Sequence, residues 1–431
     1  MSRSDFAQSR RPGGIAAVGV VGSLLLVVVA GLVLWGPSAP EYTAADGVLR
    51  DYTSAPSVAW ELGDESLPDY AGNGPVTVAD HRGTDWLLAY PSGLGRAFLL
   101  VDVRNGHQLW DAPVRAGLGD CAISAERRVG CAVKLGDQPD GFYLIDADGT
   151  PRTAGPLDDT VQVTAVGADF LRINQFGRQA SLRTADGTTR WSRSFAAAAT
   201  ARTDGGLLVV GTADGRGFVL DPATGDDQIA CEQCEVMVYP QGVLTVHSAP
   251  DHRAVEVFAR TGRRVADAPV RTADSMTVVG GDSVLPVLAG TGAGQIMEDA
   301  GHYEVIDPAT GEGIWQIADP ELSKSNTRPC GTLVAFALKD RSRRFYSLED
   351  GTPLGRLAPP SIDAPDENLD LLRCIGSSDR TAVFASRSSV TAYNAGSGTL
   401  AWRRDINGTA TAVDGYVVLT QGTSLSVLRP H

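Results

Sequence analysis

The chain has 431 residues, 43% of them apolar and 20% charged, so it holds enough apolar material for an extensive core. Its formal charge is −14; residues 1–14 contribute +2 through Arg3, Arg10 and Arg11 against Asp5, so the remainder carries about −16. An acidic body of this kind excludes nucleic acid, which requires a basic face to displace phosphate counterions, and excludes lying flat on anionic lipid. Among the 37 basic residues only Lys134, Lys324 and Lys339 are lysines, the bias of a GC-rich, actinobacterial-like genome.

Residues 1–14 read as a short cytoplasmic tail. From Ile15 to Trp35 no residue is charged, and a helix of that length spans ~31 Å, a bilayer's hydrocarbon thickness. Arginines precede the run, Glu41, Asp46 and Asp51 follow it, and Trp35 stands where an aromatic ring sits at the headgroups. The spacing predicts a transmembrane helix over 15–35, with everything after it extracytoplasmic at the cell membrane. The alternative is a cleaved signal peptide. The nearest small-residue site, Pro37-Ser38-Ala39, is followed by Pro40, which hinders cleavage. Residues 36–56, with Pro37, Pro40 and Pro56 among small polar residues, read as a spacer.

From residue 57 to 431 one pattern recurs: an apolar strand, often an acidic residue, a short turn with glycine, then a strand that often carries tryptophan. Phe98–Asp102 leads to Gly106 and Trp110; Phe142–Asp146 leads to Gly149; Ser181–Arg183 leads to Gly187 and Trp191; Phe218–Asp221 leads to Gly225. Val255–Phe258 leads to Gly262; Tyr303–Asp307 leads to Gly311 and Trp315; Phe345–Leu348 leads to Gly351; Val390–Tyr393 leads to Gly398 and Trp402. A period near forty, with short β-branched runs and Gly/Asp turns, predicts an all-β closed β-propeller of four-stranded antiparallel blades. After Trp402 the chain supplies three more strands, at about 409–413, 416–420 and 424–428, and stops. The orphan segment Ser57–Leu62 is placed to complete that last blade. Counting the terminal copy gives nine third strands.

The phrases Val-Leu-Asp-Pro-Ala-Thr-Gly at 219–225, Val-Ile-Asp-Pro-Ala-Thr-Gly-Glu-Gly-Ile-Trp at 305–315 and Ala-Tyr-Asn-Ala-Gly-Ser-Gly-Thr-Leu-Ala-Trp at 392–402 resemble the repeat of quinoprotein (PQQ-like) propellers. The resemblance covers roughly 57–431 and implies eight blades, leaving the count between eight and nine. It implies either a non-enzymatic envelope scaffold without cofactor, binding envelope proteins or a small ligand, or a dehydrogenase using PQQ and calcium. An extracytoplasmic sensor of a small ligand is a third reading. No calcium-ligating set, aromatic floor or pair of adjacent cysteines maps onto this sequence, so the scaffold is the leading expectation.

Six cysteines, all beyond the apolar run, suit an oxidising compartment. Fifteen pairings are possible. Cys121 and Cys131 fall on the first two strands of one blade, and Cys330 and Cys374 near the first strands of consecutive blades, which leaves Cys231 with Cys234. A Cys-x-x-Cys can also be a redox centre or half a zinc site. With no second such motif and no thioredoxin-like pattern, a structural disulfide is expected.

Other motifs have plain explanations. Asp146–Thr150 reads as a hairpin turn that lacks the later carboxylates of a calcium loop. His247–His252 is expected to be a polar loop between the second and third strands of a blade. Two longer insertions are candidate binding loops: one with Gly292, Glu298 and Asp299, and an acidic linker with Asp363, Asp366 and Glu367. No residue is assigned a catalytic or metal-binding role.

Overall fold

The computed structural model describes residues 47–247, 254–265, 271–272, 276–290, 301–322, 327–359 and 372–431. The expected cytoplasmic tail and membrane helix, and most of the two insertion loops, lie outside these residues. No helix among the described residues is long and apolar enough to cross a membrane.

The described residues form nine four-stranded antiparallel sheets. Blades 1 to 8 each take four consecutive strands, beginning with Thr77–Arg82 in blade 1 and ending with Leu400–Asp405 in blade 8. Blade 9 takes Thr409–Val413, Tyr416–Gln421 and Ser424–Leu428, and its fourth strand is Val58–Leu62 from the other end of the chain. The two ends pair antiparallel, Val58 opposite Leu428, Trp60 opposite Val427 and Leu62 opposite Leu425. The count is therefore nine, not the eight that the family resemblance implied.

The repeat has a physical reason at its turns. All eight turn glycines sit in the left-handed region, at φ from 70° to 89°, where a side chain is strained. Asp102, Asp221 and Asp307 each accept the backbone N–H two residues on, at 2.8–2.9 Å, fixing the turn's entrance. Four of these turns receive a tryptophan from the preceding blade. The indole N–H of Trp60, Trp191 and Trp315 donates to the carbonyls of Val103, Pro222 and Leu348, at 2.5, 3.0 and 2.8 Å. The rings lie so close to Gly106, Gly225 and Gly351 that a Cβ there would come within 2.6–2.8 Å. Trp110 packs against Gly149 in the same way, although it precedes its fourth strand, Val114–Gly117, instead of lying on it.

Side chains also stitch the innermost strands. Asp80 Oδ2 accepts the Ile123 N–H at 2.8 Å, and Asp120 Oδ2 accepts the Val163 N–H at 3.1 Å, each reaching into the next blade. Burial raises both carboxyl pKa values, and those hydrogen bonds act against the rise.

Half of the expected spacer turns out to be structural. Residues 47–56 pack into the ring: Leu49 donates to Ser377 O at 2.8 Å, and Arg50 donates to Gly415 O at 3.0 Å and pairs with Asp414 at 3.1 Å. Tyr52 is wholly buried. Its hydroxyl donates to Leu428 O at 2.9 Å and accepts from Val417 N at 3.0 Å, while its carbonyl receives the Trp402 indole at 2.6 Å. Blade 9 has no third-to-fourth-strand turn of its own, because its fourth strand comes from elsewhere, so Tyr52 stands in for it.

Candidate binding surface

In an antiparallel four-stranded blade, turns between strands one and two and between three and four lie on one face of the ring. Turns between two and three, and the connections between blades, lie on the other. Gly47 approaches Asp282, Gly331 and Ser377, all at first-to-second-strand turns. The chain thus joins the ring on the first of these faces, called proximal here; the other is distal.

The distal face of blades 1 to 3 carries four of the six large apolar side chains exposed among the described residues: Leu94, Leu118, Leu135 and Phe176. Leu94, Leu135 and Phe176 are at second-to-third-strand turns, and Leu118 is in the connection from blade 1 to blade 2. Backbone contacts hold the tips together. Gly95 lies against Gly117, and Gly117 so close to Lys134 that a Cβ would meet its carbonyl at 2.2 Å. Leu118 N donates to Lys134 O at 2.8 Å, and Lys134 Nζ donates to Gln175 Oε1, beside Phe176, at 2.8 Å.

Leu135 is the most unusual of the four. It is 73% exposed and sits at φ 57°, a conformation that costs a branched side chain roughly 1–2 kcal/mol. The Asp140 carboxylate, accepting its N–H at 2.8 Å, and the Gly117–Lys134 bridge hold it there. Strain maintained by surrounding contacts at an exposed apolar position points to use by a partner. Around the tips, Asp137, Asp158 and Asp159 pair within the chain with Arg115, Arg183 and Lys134, at 2.8, 2.6 and 3.8 Å.

The Phe176 turn leans on the next connection, where Ala199 N donates to Gly177 O at 2.8 Å. Beyond it opens a cleft of about 820 Å³ between blades 3 and 4, lined among others by Phe195, Asp214, Arg216, Cys231 and His247. Arg193 spans its wall, paired with Asp227 at 2.6 Å and 4.9 Å from the centre of the Phe218 ring.

The six cysteines form three disulfides, Cys121–Cys131, Cys231–Cys234 and Cys330–Cys374. Cys121 and Cys131 face each other across the first two strands of blade 2, and Cys330 and Cys374 tie the first strands of blades 7 and 8. Asp146–Thr150 is a hairpin turn, with Gly149 N donating to Asp146 O at 2.9 Å. Gly292, Glu298, Asp299, Asp363, Asp366 and Glu367 lie outside the described residues. Among those described, no group of three or more His, Cys, Asp or Glu is arranged to hold a metal ion. Sequence reasoning missed the distal tips, since an apolar residue in a loop reads like any other until the fold shows it uncovered.

A family model described as outer membrane protein assembly factor BamB matches residues 96–329. The chain belongs to that family. Among solved structures, BamB from Moraxella catarrhalis is 13% identical, with 87% of this chain and 100% of that one covered and a TM-score of 0.43. The computationally designed Ika8 protein is 14% identical, with 84% and 98% covered and a TM-score of 0.43. No curated protein matches the sequence. The chain is thus a BamB-family propeller with nine blades.

Proposed function

We propose that this BamB-family propeller is a membrane-anchored scaffold of the cell envelope that binds another protein through the distal face of blades 1 to 3. The observation that carries this reading is the cluster of Leu94, Leu118, Leu135 and Phe176, above all the strained, exposed Leu135. The cluster favours a partner surface that is apolar at its centre. The family's description as an assembly factor agrees with a binding role, and the uncharged run Ile15–Trp35 supports the anchor. Residues 47–56 pack on the proximal face, so the apolar tips lie on the opposite face of the ring. A photo-crosslinking residue at 135 or 176 in the membrane-bound protein should give a discrete protein adduct, and one at Ile314 on an outer strand should not. Adducts at 314 but not at 135 or 176 would refute the surface.

A further inference from the structure

We infer that Cys231–Cys234 is a redox-active disulfide whose substrate is a dithiol on another protein, admitted through the cleft between blades 3 and 4. The sequence alone favours a structural staple here, and three features of the fold change that reading.

The first is placement. Cys231 ends the outer strand Asp227–Cys231 of blade 4, and Cys234 begins the innermost strand Cys234–Val238 of blade 5. Between them Glu232 and Gln233 are exposed, with Gln233 at φ 47°. Cys231, though buried, lines the cleft, and Cys234 is half-buried. Both sulfurs sit beside Gly217, which has no side chain to cover them.

The second is a histidine across the strand. His247 is the direct partner of Cys234 in the sheet register and also lines the cleft. Its Nε2 is 3.2 Å from Thr245 Oγ1 and 3.5 Å from Glu256 Oε2, so the ring is positioned from behind by a carboxylate. Cys234, Thr245 and His247 share one face of the blade 5 sheet, as alternation and register require.

The third is contrast with the other pairs. The disulfides Cys121–Cys131 and Cys330–Cys374 close chain separations of 10 and 44 residues. Cys231–Cys234 closes a separation of 3. A short loop constrains the unfolded chain least and gives the least resistance to reduction.

The exchange follows from this placement. A substrate thiolate attacks Cys231 Sγ from the cleft, the Sγ–Sγ bond breaks, and Cys234 leaves as a thiolate to which its cross-strand neighbour His247 relays a proton from solvent. The substrate's second thiolate then attacks the substrate sulfur of the mixed disulfide and releases the Cys231 thiolate, which solvent protonates. Two electrons and two protons pass from the substrate dithiol to the Cys231–Cys234 pair. A disulfide-bearing oxidant protein of the same compartment restores the pair by the reverse exchange.

The test treats the full-length protein with dithiothreitol, then alkylates thiols and resolves each cysteine by mass spectrometry while following the fold by tryptophan fluorescence. Cys231 and Cys234 should open at least about tenfold faster than the other two pairs, with the fold intact. His247→Gln should slow that opening about tenfold without changing the melting temperature or the other pairs. All three disulfides opening together on unfolding would overturn the inference. So would selective opening at the parent's rate in His247→Gln. Should that variant not fold, the order of opening in the parent protein decides.

Discussion

On the proximal face, the polar groups of residues 47–56 are taken up within the chain: Leu49 and Arg50 bond to the turns of blades 8 and 9, and the Tyr52 hydroxyl serves two backbone groups at once. On the distal face of blades 1 to 3, apolar groups of similar size stand in solvent, and one is held in a left-handed conformation. Both regions are irregular segments outside the blades, yet one is saturated with internal contacts and the other is left open. Removing contacts from the first should cost stability, whereas altering the second should change binding and little else.

The largest effect is expected at the seam. A soluble chain beginning at Gly63 lacks the fourth strand of blade 9 and exposes the edge of Ser424–Leu428, and it should fail to form a cooperative ring in thermal melts. The milder Trp60→Ala should cost about 3–5 kcal/mol by denaturant unfolding, because Trp60 both docks on Gly106 and meets Trp86 edge-on at 6.4 Å. A chain beginning at Thr53 keeps that strand but loses Tyr52, so it should melt below one beginning at Gly47. Equal melting would remove the contrast between the two faces.

A single oxygen sharpens the same point. Tyr52→Phe keeps the ring but leaves the Leu428 carbonyl and Val417 amide unpaired, and should cost about 1–3 kcal/mol. On the distal face, Phe176→Asp should change stability by less than about 0.5 kcal/mol while abolishing partner crosslinking. Leu135→Gly relieves the positive φ and should gain at most about 1 kcal/mol, again with loss of the adduct. A distal variant that unfolds the ring would show the tips to be structural.

The smallest effect concerns pH. Burial holds the Asp80 carboxyl above its ordinary range, so its contribution to stability is fully present below the unfolded-state value near 3.8 and is lost as pH rises through the folded value. Asp80→Asn keeps an acceptor for the Ile123 N–H and removes this loss. Denaturation curves between about pH 4 and 7 should therefore show the variant gaining on the parent as pH rises. Asp102 runs the other way: its bond to Arg104 lowers its pKa, and the stability it contributes disappears on acidification. The informative quantity is the difference between variant and parent.

Much of the blade pattern was legible because each repeat spends recognisable residues on backbone geometry. Gly225 and Gly311 are needed at positive φ, Asp221 and Asp307 cap the same turns, and Trp191 and Trp315 fill the space a Cβ would occupy at Gly225 and Gly351. Closure by Val58–Leu62 was legible from a three-strand remainder and a lone tryptophan strand. The blade count stayed open because copies such as Val255–Phe258 keep the strand but lose the acidic residue and tryptophan. Residues 47–56 were misread as spacer because Leu49 and Tyr52 contribute through contacts hundreds of residues away, which carry no local period. The distal tips escaped for the opposite reason: Leu135 and Phe176 differ from core residues only in being uncovered.

Pairing Val58 with Leu428 also sets an order of events in the life of the chain. During synthesis Val58–Leu62 is made before all eight other blades and its partner Ser424–Leu428 after them, so blade 9 cannot form until those blades have been made. Contacts between such distant segments are slow to find, and until then Trp60 and the edge of Ser424–Leu428 are both without cover, the condition in which multi-blade chains misassemble. Every earlier blade can be built as it emerges, but the ring has to wait for Ser424–Leu428 before it closes.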